Sequence, residues 1–427
     1  MKKTIYLDHN ATTALRPEAL EAMLPYLRNH YGNASSIYQL GQDARKAIDQ
    51  ARSKLAQVIG AGNPEEIVLT GGGSEAINWA IKGVALSAKD KGRHIVTTKI
   101  EHSAVMNSCK YLESLGWHVT YVGVDWHGYV NPNHIREAIT KDTVLVSVMH
   151  ANNEIGTLEP IGEIGQICRQ KGVPFHVDAV QTVGKIPVSV EELNCDLLSM
   201  AAHKFYGPKG VGALYVRPGM RMHSFIHGGS HERNRRAGTE NVAGIVGMGA
   251  AAEWAQKEMK QEEKHVRHLR DKLEKAIFSK IECVRLNGHP TERMFNTTNL
   301  SIEAVEGEGM IIGLDMQGIC VSSGSACSSG HTEISHVLKA IGVPLELAKG
   351  SVRLSLGREN TAEEIEKAIE VLPKVVERLR AISPIWGDYK KGLRRSVIPA
   401  AAGGNPSLPF KDIMDPRQGH SGMTAKG

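Results

Sequence analysis

The chain predicts two domains: an α/β unit built on a mostly parallel sheet of seven strands flanked by helices, followed by a smaller α+β unit. Three observations carry this. From about residue 65 to 216, short β-rich runs alternate with helical patterns, which is how a parallel sheet with crossover helices reads in sequence. A stretch rich in Ala, Glu, Lys and Gln then continues as one long helix from about 241 to 278. And 427 residues exceed what a single core organises, about 250–300 residues.

In order, the first strand is 67–70, with a helix from Ser74; the second is 94–99, with a helix from Ser103; the third is 118–123. Strand 143–149 precedes a helix from Ile161, and strands 173–177, 197–200 and 211–216 complete the set of seven. Beyond the long connecting helix, 284–286, 298–302, 319–322 and 351–356 read as strands of a smaller sheet, with helices from Glu333 and Thr361. The expected organisation is a large domain over 15–260, a small domain assembled from 1–14 and 261–388, and a tail over 389–427. The tail opens on Lys390-Lys391-Gly392-Leu393-Arg394-Arg395 and turns to Pro, Ala and Gly, a composition that predicts disorder.

Bulk properties narrow the function. Net charge is +5 with 23% charged residues and no like-charged block in the main body, which argues against nucleic acid as a direct partner. No apolar run is long enough to span a bilayer and no signal-peptide pattern opens the chain, so a cytoplasmic protein without membrane contact is expected. The six cysteines, 109, 168, 195, 283, 320 and 327, show no CxxC spacing; neither a metal site nor a disulfide framework is written there.

Lys204 carries the most chemical information. It lies in Ala201-Ala202-His203-Lys204, just past an apolar strand and twenty-six positions after Asp178, which ends another strand. A lysine at a strand end near a carboxylate suits a Schiff base to an aldehyde cofactor whose ring nitrogen the acid pairs, and pyridoxal 5'-phosphate (PLP) is that aldehyde. Asp178 alone also reads as a cap of the next element. Gln181, three residues on, is placed to bond the ring's phenolic oxygen. Thr70-Gly71-Gly72-Gly73-Ser74-Glu75 joins a strand to a helix and offers backbone N–H groups to a phosphate, although it reads equally as a plain turn with Ser74 as N-cap.

Glu101-His102-Ser103 follows a strand, so the His102 imidazole is placed to lie over a planar cofactor and act as acid or base; one of nineteen histidines is, however, more often structural. Asn153, in the loop after strand 143–149, is a further donor to the ring. Cys327 lies in Ser325-Ala326-Cys327-Ser328-Ser329-Gly330, a loop suited to an exposed nucleophile, whereas the other five cysteines sit in or beside apolar or helical runs and read as inert core thiols.

These pieces, together with Tyr6-Leu7-Asp8-His9-Asn10-Ala11-Thr12-Thr13, Gly228-Gly229-Ser230-His231 and Arg236-Ala237-Gly238-Thr239, resemble the NifS/IscS-type cysteine desulfurases in a fixed order from about residue 4 to 380. The resemblance implies the PLP fold type I architecture of the class V aminotransferase superfamily, and a homodimer. It implies that Lys204 carries PLP, that His102 stacks on the ring, that Asp178 pairs its nitrogen, and that Gln181 and Asn153 contact its oxygen. Gly73, Ser74 and His203 would hold the phosphate, with Thr239 reaching in from the partner subunit. Arg353 would grip the carboxylate of L-cysteine, assisted by Asn33, and Cys327 would take the sulfur as a persulfide and pass it to acceptor or scaffold proteins for iron–sulfur cluster assembly or thiolation.

One departure stands out: many members of that family have a phosphate-bonding serine where this chain has Ala201, a loss of about 0.5–1.5 kcal/mol. Selenocysteine lyase, class V aminotransferase and a catalytically silent sulfur-assembly scaffold are the alternative functions.

Overall fold

The computed structural model describes residues 4–323, 334–391 and 398. Its centre is a seven-stranded sheet in the order Ile67–Thr70, Gly212–Val216, Leu197–Ala201, Phe175–Asp178, Thr143–Met149, His94–Thr98, His118–Val122. Only Gly212–Val216 runs antiparallel to its neighbours; the other pairings are parallel. Six of the seven strands are buried along their whole length, because helices cover both faces and leave no polar side to alternate with. Helices Gly73–Ser87 and Ser103–Ser114 pack through Trp79, Ile81 and Leu112 on one face. Helices Gln39–Val58 and Ile161–Lys171, with the start of Val242–Lys280, cover the other through Ile48, Leu55, Ile164 and Met248.

A second core has its own sheet, in which Ser322–Ser323, Ser351–Ser355, Thr297–Ile302 and Val284–Asn287 pair antiparallel in that order. Val242–Lys280 enters this core as well, through Val266, Leu269 and Leu273, so one continuous helix belongs to both. Helix Ala362–Ala381 closes the second core and starts on a reciprocal cap between Thr361 and Glu364.

The expected strand 319–322 divides in two. Ile319–Cys320 pairs in parallel with Ile5–Tyr6, while Ser322–Ser323 joins the four-stranded sheet. The helix expected from Glu333 begins at His336, capped by Ser335, and a second short helix, Leu345–Lys349, follows. Helix Pro384–Lys390 runs across the expected start of the tail. Ile398, within the expected tail, packs against the apolar cluster around Ile155, Val337 and Leu338; the rest of the tail from residue 392 lies outside the described residues. Among the described residues no helix is long and apolar enough to cross a membrane.

Candidate active site

Parallel sheets place ligands at the carboxyl ends of their strands, and a cavity of about 640 Å³ opens there. Gly73, Ser74, His102, Asn153, Asp178, Gln181, His203, Lys204 and Arg353, nine of the twelve residues singled out in the sequence, line it. Thr239 does not: it lines a smaller neighbouring cleft of about 120 Å³ together with Gly71 and Arg236. Asn33 is exposed, outside the cavity lining, and its Oδ1 accepts the Ser35 N–H at 2.9 Å. Cys327 lies outside the described residues.

The floor comes from two adjacent strand ends. Asp178 is 4% exposed and its Oδ1 accepts the Val180 N–H at 3.0 Å. Burial pushes its pKa up to about 6, against the opposing pull of that N–H and of Lys204. Lys204 leaves the end of Leu197–Ala201 in a short 3-10 turn, and its Nζ donates to the carbonyls of Asn10 at 2.6 Å and Ala11 at 2.8 Å. Those carbonyls were not singled out in the sequence, since backbone acceptors carry no residue signature.

The segment that bears them is held by its own side chain. Asn10 Nδ2 donates to Thr297 Oγ1 (2.9 Å) and the Asn153 carbonyl (3.1 Å), and its Oδ1 accepts from Asn296 Nδ2 (3.0 Å).

At the helix side, Gly72 is the N-cap of Gly73–Ser87, with φ +152° and no side-chain capping bond. Ser74 is therefore inside the first turn and is not the cap. A Cβ on Gly73 would stand 3.0 Å from Val180 and 3.3 Å from Ala201, so the loop lies tight against the strand ends. The bare first turn faces the cavity with its N–H groups and the positive end of its dipole.

His102 caps helix Ser103–Ser114: its Nδ1 accepts the Ala104 N–H at 3.1 Å, so the ring's own hydrogen is on Nε2. Burial, then the nearby Lys204 and His336, lower its pKa to about 4 and keep the ring neutral. His203 is lowered to about 4 as well, first by burial and then by Lys204, Lys209 and Lys185, and its Nδ1 meets Thr12 Oγ1 at 3.2 Å.

The opposite wall belongs to the second sheet. Arg353, 1% exposed on Ser351–Ser355, donates from NH2 to Asp8 Oδ1 at 2.6 Å and from NH1 to the Asn153 carbonyl at 2.9 Å. Two of its five donors are used there, and its buried Nε–H has no partner among the described residues.

The described residues on either side of the segment bearing Cys327 are held at fixed points. Ser322 pairs with Arg353 on one side. On the other, Ser335 Oγ donates to Glu154, and His336 Nε2 donates to the carbonyl of Glu101, the residue before His102. Of the remaining cysteines, 109, 168 and 195 are buried, and desolvation pushes their thiols up to about 12. Cys283 and Cys320 are half-exposed instead of core residues, because they sit at a turn and on a two-residue edge strand.

Residues 5–368 match the family model for aminotransferase class-V. The chain is 52% identical over 390 residues to cysteine desulfurase IscS of Dictyoglomus turgidum, covering 91% of this chain and 99% of that one. It is 50% identical over 383 residues to cysteine desulfurase IscS of Methanosarcina thermophila, covering 90% and 94%. Among solved structures, a NifS-like protein superposes with a TM-score of 0.83 at 39% identity, over 88% of this chain and all of that one. SspA in complex with cysteine superposes at 0.74 and 34% identity, over 84% of this chain and all of that one.

Proposed function

This chain belongs to the aminotransferase class-V family, and we propose that within it the protein is a cysteine desulfurase that removes sulfur from L-cysteine, leaves L-alanine, and passes the sulfur onward from Cys327. The observation that carries the reading is one cavity that brings Lys204 and Asp178 from the large sheet face to face with Arg353 from the small one.

The residues present fit PLP. Asp178 is a buried carboxyl that desolvation raises against the pull of Lys204, and a protonated ring nitrogen would be a close cationic partner for its charged form. The Gly72–Ser74 turn is an uncapped cradle for a phosphate. Lys204 would carry the cofactor, His102 would lie over its ring, Gln181 and Asn153 would meet its ring oxygen, and Gly73, Ser74 and His203 would hold its phosphate. When bound, PLP supplies an electron sink that makes the substrate's α-proton removable.

The chain's own groups do the rest. Arg353 keeps further N–H donors beside the cavity for the substrate carboxylate, and a planar fork of that kind binds a carboxylate in two-point fashion; Asn33 would assist. The amine of Lys204 takes the α-proton at Nζ. Neutral His102 holds its proton at Nε2, where it is available to the departing sulfur. The Cys327 thiolate attacks the substrate sulfur, the new S–S bond forms as the C–S bond breaks, and the carbon framework keeps the electron pair and gains a proton. Both roots of the segment bearing Cys327 are fastened beside Arg353 and His102, which supports delivery into this cavity.

The working unit is a homodimer, with Thr239 serving the partner's phosphate site; its position in a separate cleft supports that reading. The domains are 15–260 and 1–14 with 261–388, supported by the two separate cores. Acceptor or scaffold proteins for iron–sulfur assembly or thiolation receive the sulfur.

The test is incubation of the PLP-loaded protein with L-cysteine and dithiothreitol, without any keto acid. Alanine and sulfide in equal amounts are expected. Cys327→Ser should still exchange the α-hydrogen in deuterated water yet release almost no alanine, and Lys204→Ala should do neither. A requirement for a keto acid would replace this reading by aminotransfer, and wild-type sulfide release from Cys327→Ser would replace it by elimination.

A further inference from the structure

Lys185 is a buried lysine to which the mechanism assigns no task. It is 3% exposed, and its Nζ donates to Gln181 Oε1 at 3.3 Å. Local structure brings the two together: Thr182, Val183, Lys185 and Ile186 make turn bonds back to Ala179 and Thr182, so residues 181 and 185 stand one helical turn apart on the same face. Gly184 completes the turn at φ +77°, and a Cβ there would come within 2.6 Å of Phe205.

The other end of the Gln181 carboxamide is also committed, because its Nε2 donates to the Asn10 carbonyl at 3.1 Å. That is the same carbonyl that receives Lys204 Nζ at 2.6 Å. In its protonated form, below a pKa of about 7, the Lys185 amine can only donate, and a carbonyl can only accept. Turning the amide over would set donor against donor and acceptor against acceptor, so the two neighbours allow one orientation. In it, Oε1 is occupied by Lys185, while the amide nitrogen has one hydrogen on Asn10 and one left for the cavity that Gln181 lines.

We propose that Lys185 is a positioning residue: it locks the Gln181 carboxamide with its NH2 end toward the cavity, committing that point of the site to an electron-rich oxygen such as the hydroxyl oxygen of a pyridoxal ring. This rests on the reading that the cavity holds PLP. Burial, with Lys204 second, lowers the Lys185 pKa to about 7, and the Glu262 carboxylate opposes that shift. The charged groups acting on it are thus Lys204, Glu262 and Arg353, and it in turn helps keep His9 neutral.

A donor at the ring hydroxyl oxygen competes for the electron pair that holds the chromophore's proton. Losing the donor therefore raises the midpoint of the visible-absorbance pH titration of the PLP-loaded protein. Lys185→Met is expected to raise it by about one pH unit, a tenfold change in proton affinity. Lys185→Gln, neutral but still able to donate from its amide, is expected to leave the midpoint near that of the wild type. In a Gln181→Leu background, Lys185→Met should produce no further shift.

An equal shift in that background, or the same shift for Lys185→Gln as for Lys185→Met, would mean that Lys185 acts through its charge alone, and would overturn the proposal. So would an unmoved midpoint in Lys185→Met. Should Lys185→Met fail to fold, Lys185→Leu takes its place, with the same expected and overturning results. Wild-type protein that takes up no PLP on Lys204, judged by borohydride fixation and peptide mass, would instead refute the reading of the cavity.

Discussion

Asp178 is a carboxyl held in the wrong environment for its charge until a cation arrives, and that makes its energetics testable. Its folded pKa of about 6 lies above its ordinary 3.8. Between those values the native state binds more protons than the unfolded chain, so this group contributes stability below about pH 4 that is lost as pH rises through 6. The contribution is about 3 kcal/mol for a shift of this size. In cofactor-free protein, Asp178→Asn should therefore gain stability relative to wild type across pH 4 to 6, measured by urea unfolding at each pH. With PLP bound the ranking in function reverses: the variant should lose desulfuration on the order of a hundredfold or more, since the ring nitrogen loses its counterion. Equal pH slopes for the two proteins would remove the argument.

At the scale of elements, the strand-to-helix turns set the site, and Gly72 is the position where the backbone itself matters. With φ +152° and open space around it, a Cβ there would meet no neighbour, so any cost of Gly72→Ala is conformational, about 1–3 kcal/mol. Lower thermal stability together with weaker PLP retention is expected, read by calorimetry and by dialysis followed by absorbance. Unchanged retention would show that the turn does not cradle the phosphate. The strands of the large sheet were readable because burial on both faces makes them continuous apolar runs, and Asp178 and Lys204 were readable because each stands where such a run stops. Ile5–Tyr6 was not, because a two-residue strand has no period to detect. Lys185 was missed because a lysine four residues after a glutamine looks like a solvated turn. The anchors of Lys204 were missed because they are main-chain oxygens.

Across the whole molecule, the N-terminal segment is one place where the two cores meet, through charged and amide contacts. Asp8 is bridged to Ser355 and ion-paired to Arg353, which in turn holds the Asn153 carbonyl of the large sheet's loop. Asp8→Ala leaves a nearly inaccessible guanidinium without its carboxylate, a loss of about 3 kcal/mol for a buried pair broken from one side. The variant should unfold at lower urea and show a raised KM for L-cysteine with a smaller change in kcat. Unaltered unfolding would mean that Arg353 finds another acceptor. Ile398, within the expected tail, rests on the cluster beside the root of the cysteine-bearing segment.

The pairing of Ile5–Tyr6 with Ile319–Cys320 sets an order of events during synthesis. The first strand leaves the ribosome more than three hundred residues before its partner, a wait of roughly a quarter of a minute to a minute at ordinary elongation rates. Meanwhile the large sheet, whose last strand ends at Val216, already has all its strands. Asn10 cannot take its final place until Asn296, Thr297 and Ser355 have been made. Newly made chains therefore pass through a stage in which every strand of the large sheet exists while the Asn10 carbonyl that receives Lys204 is not yet held in place.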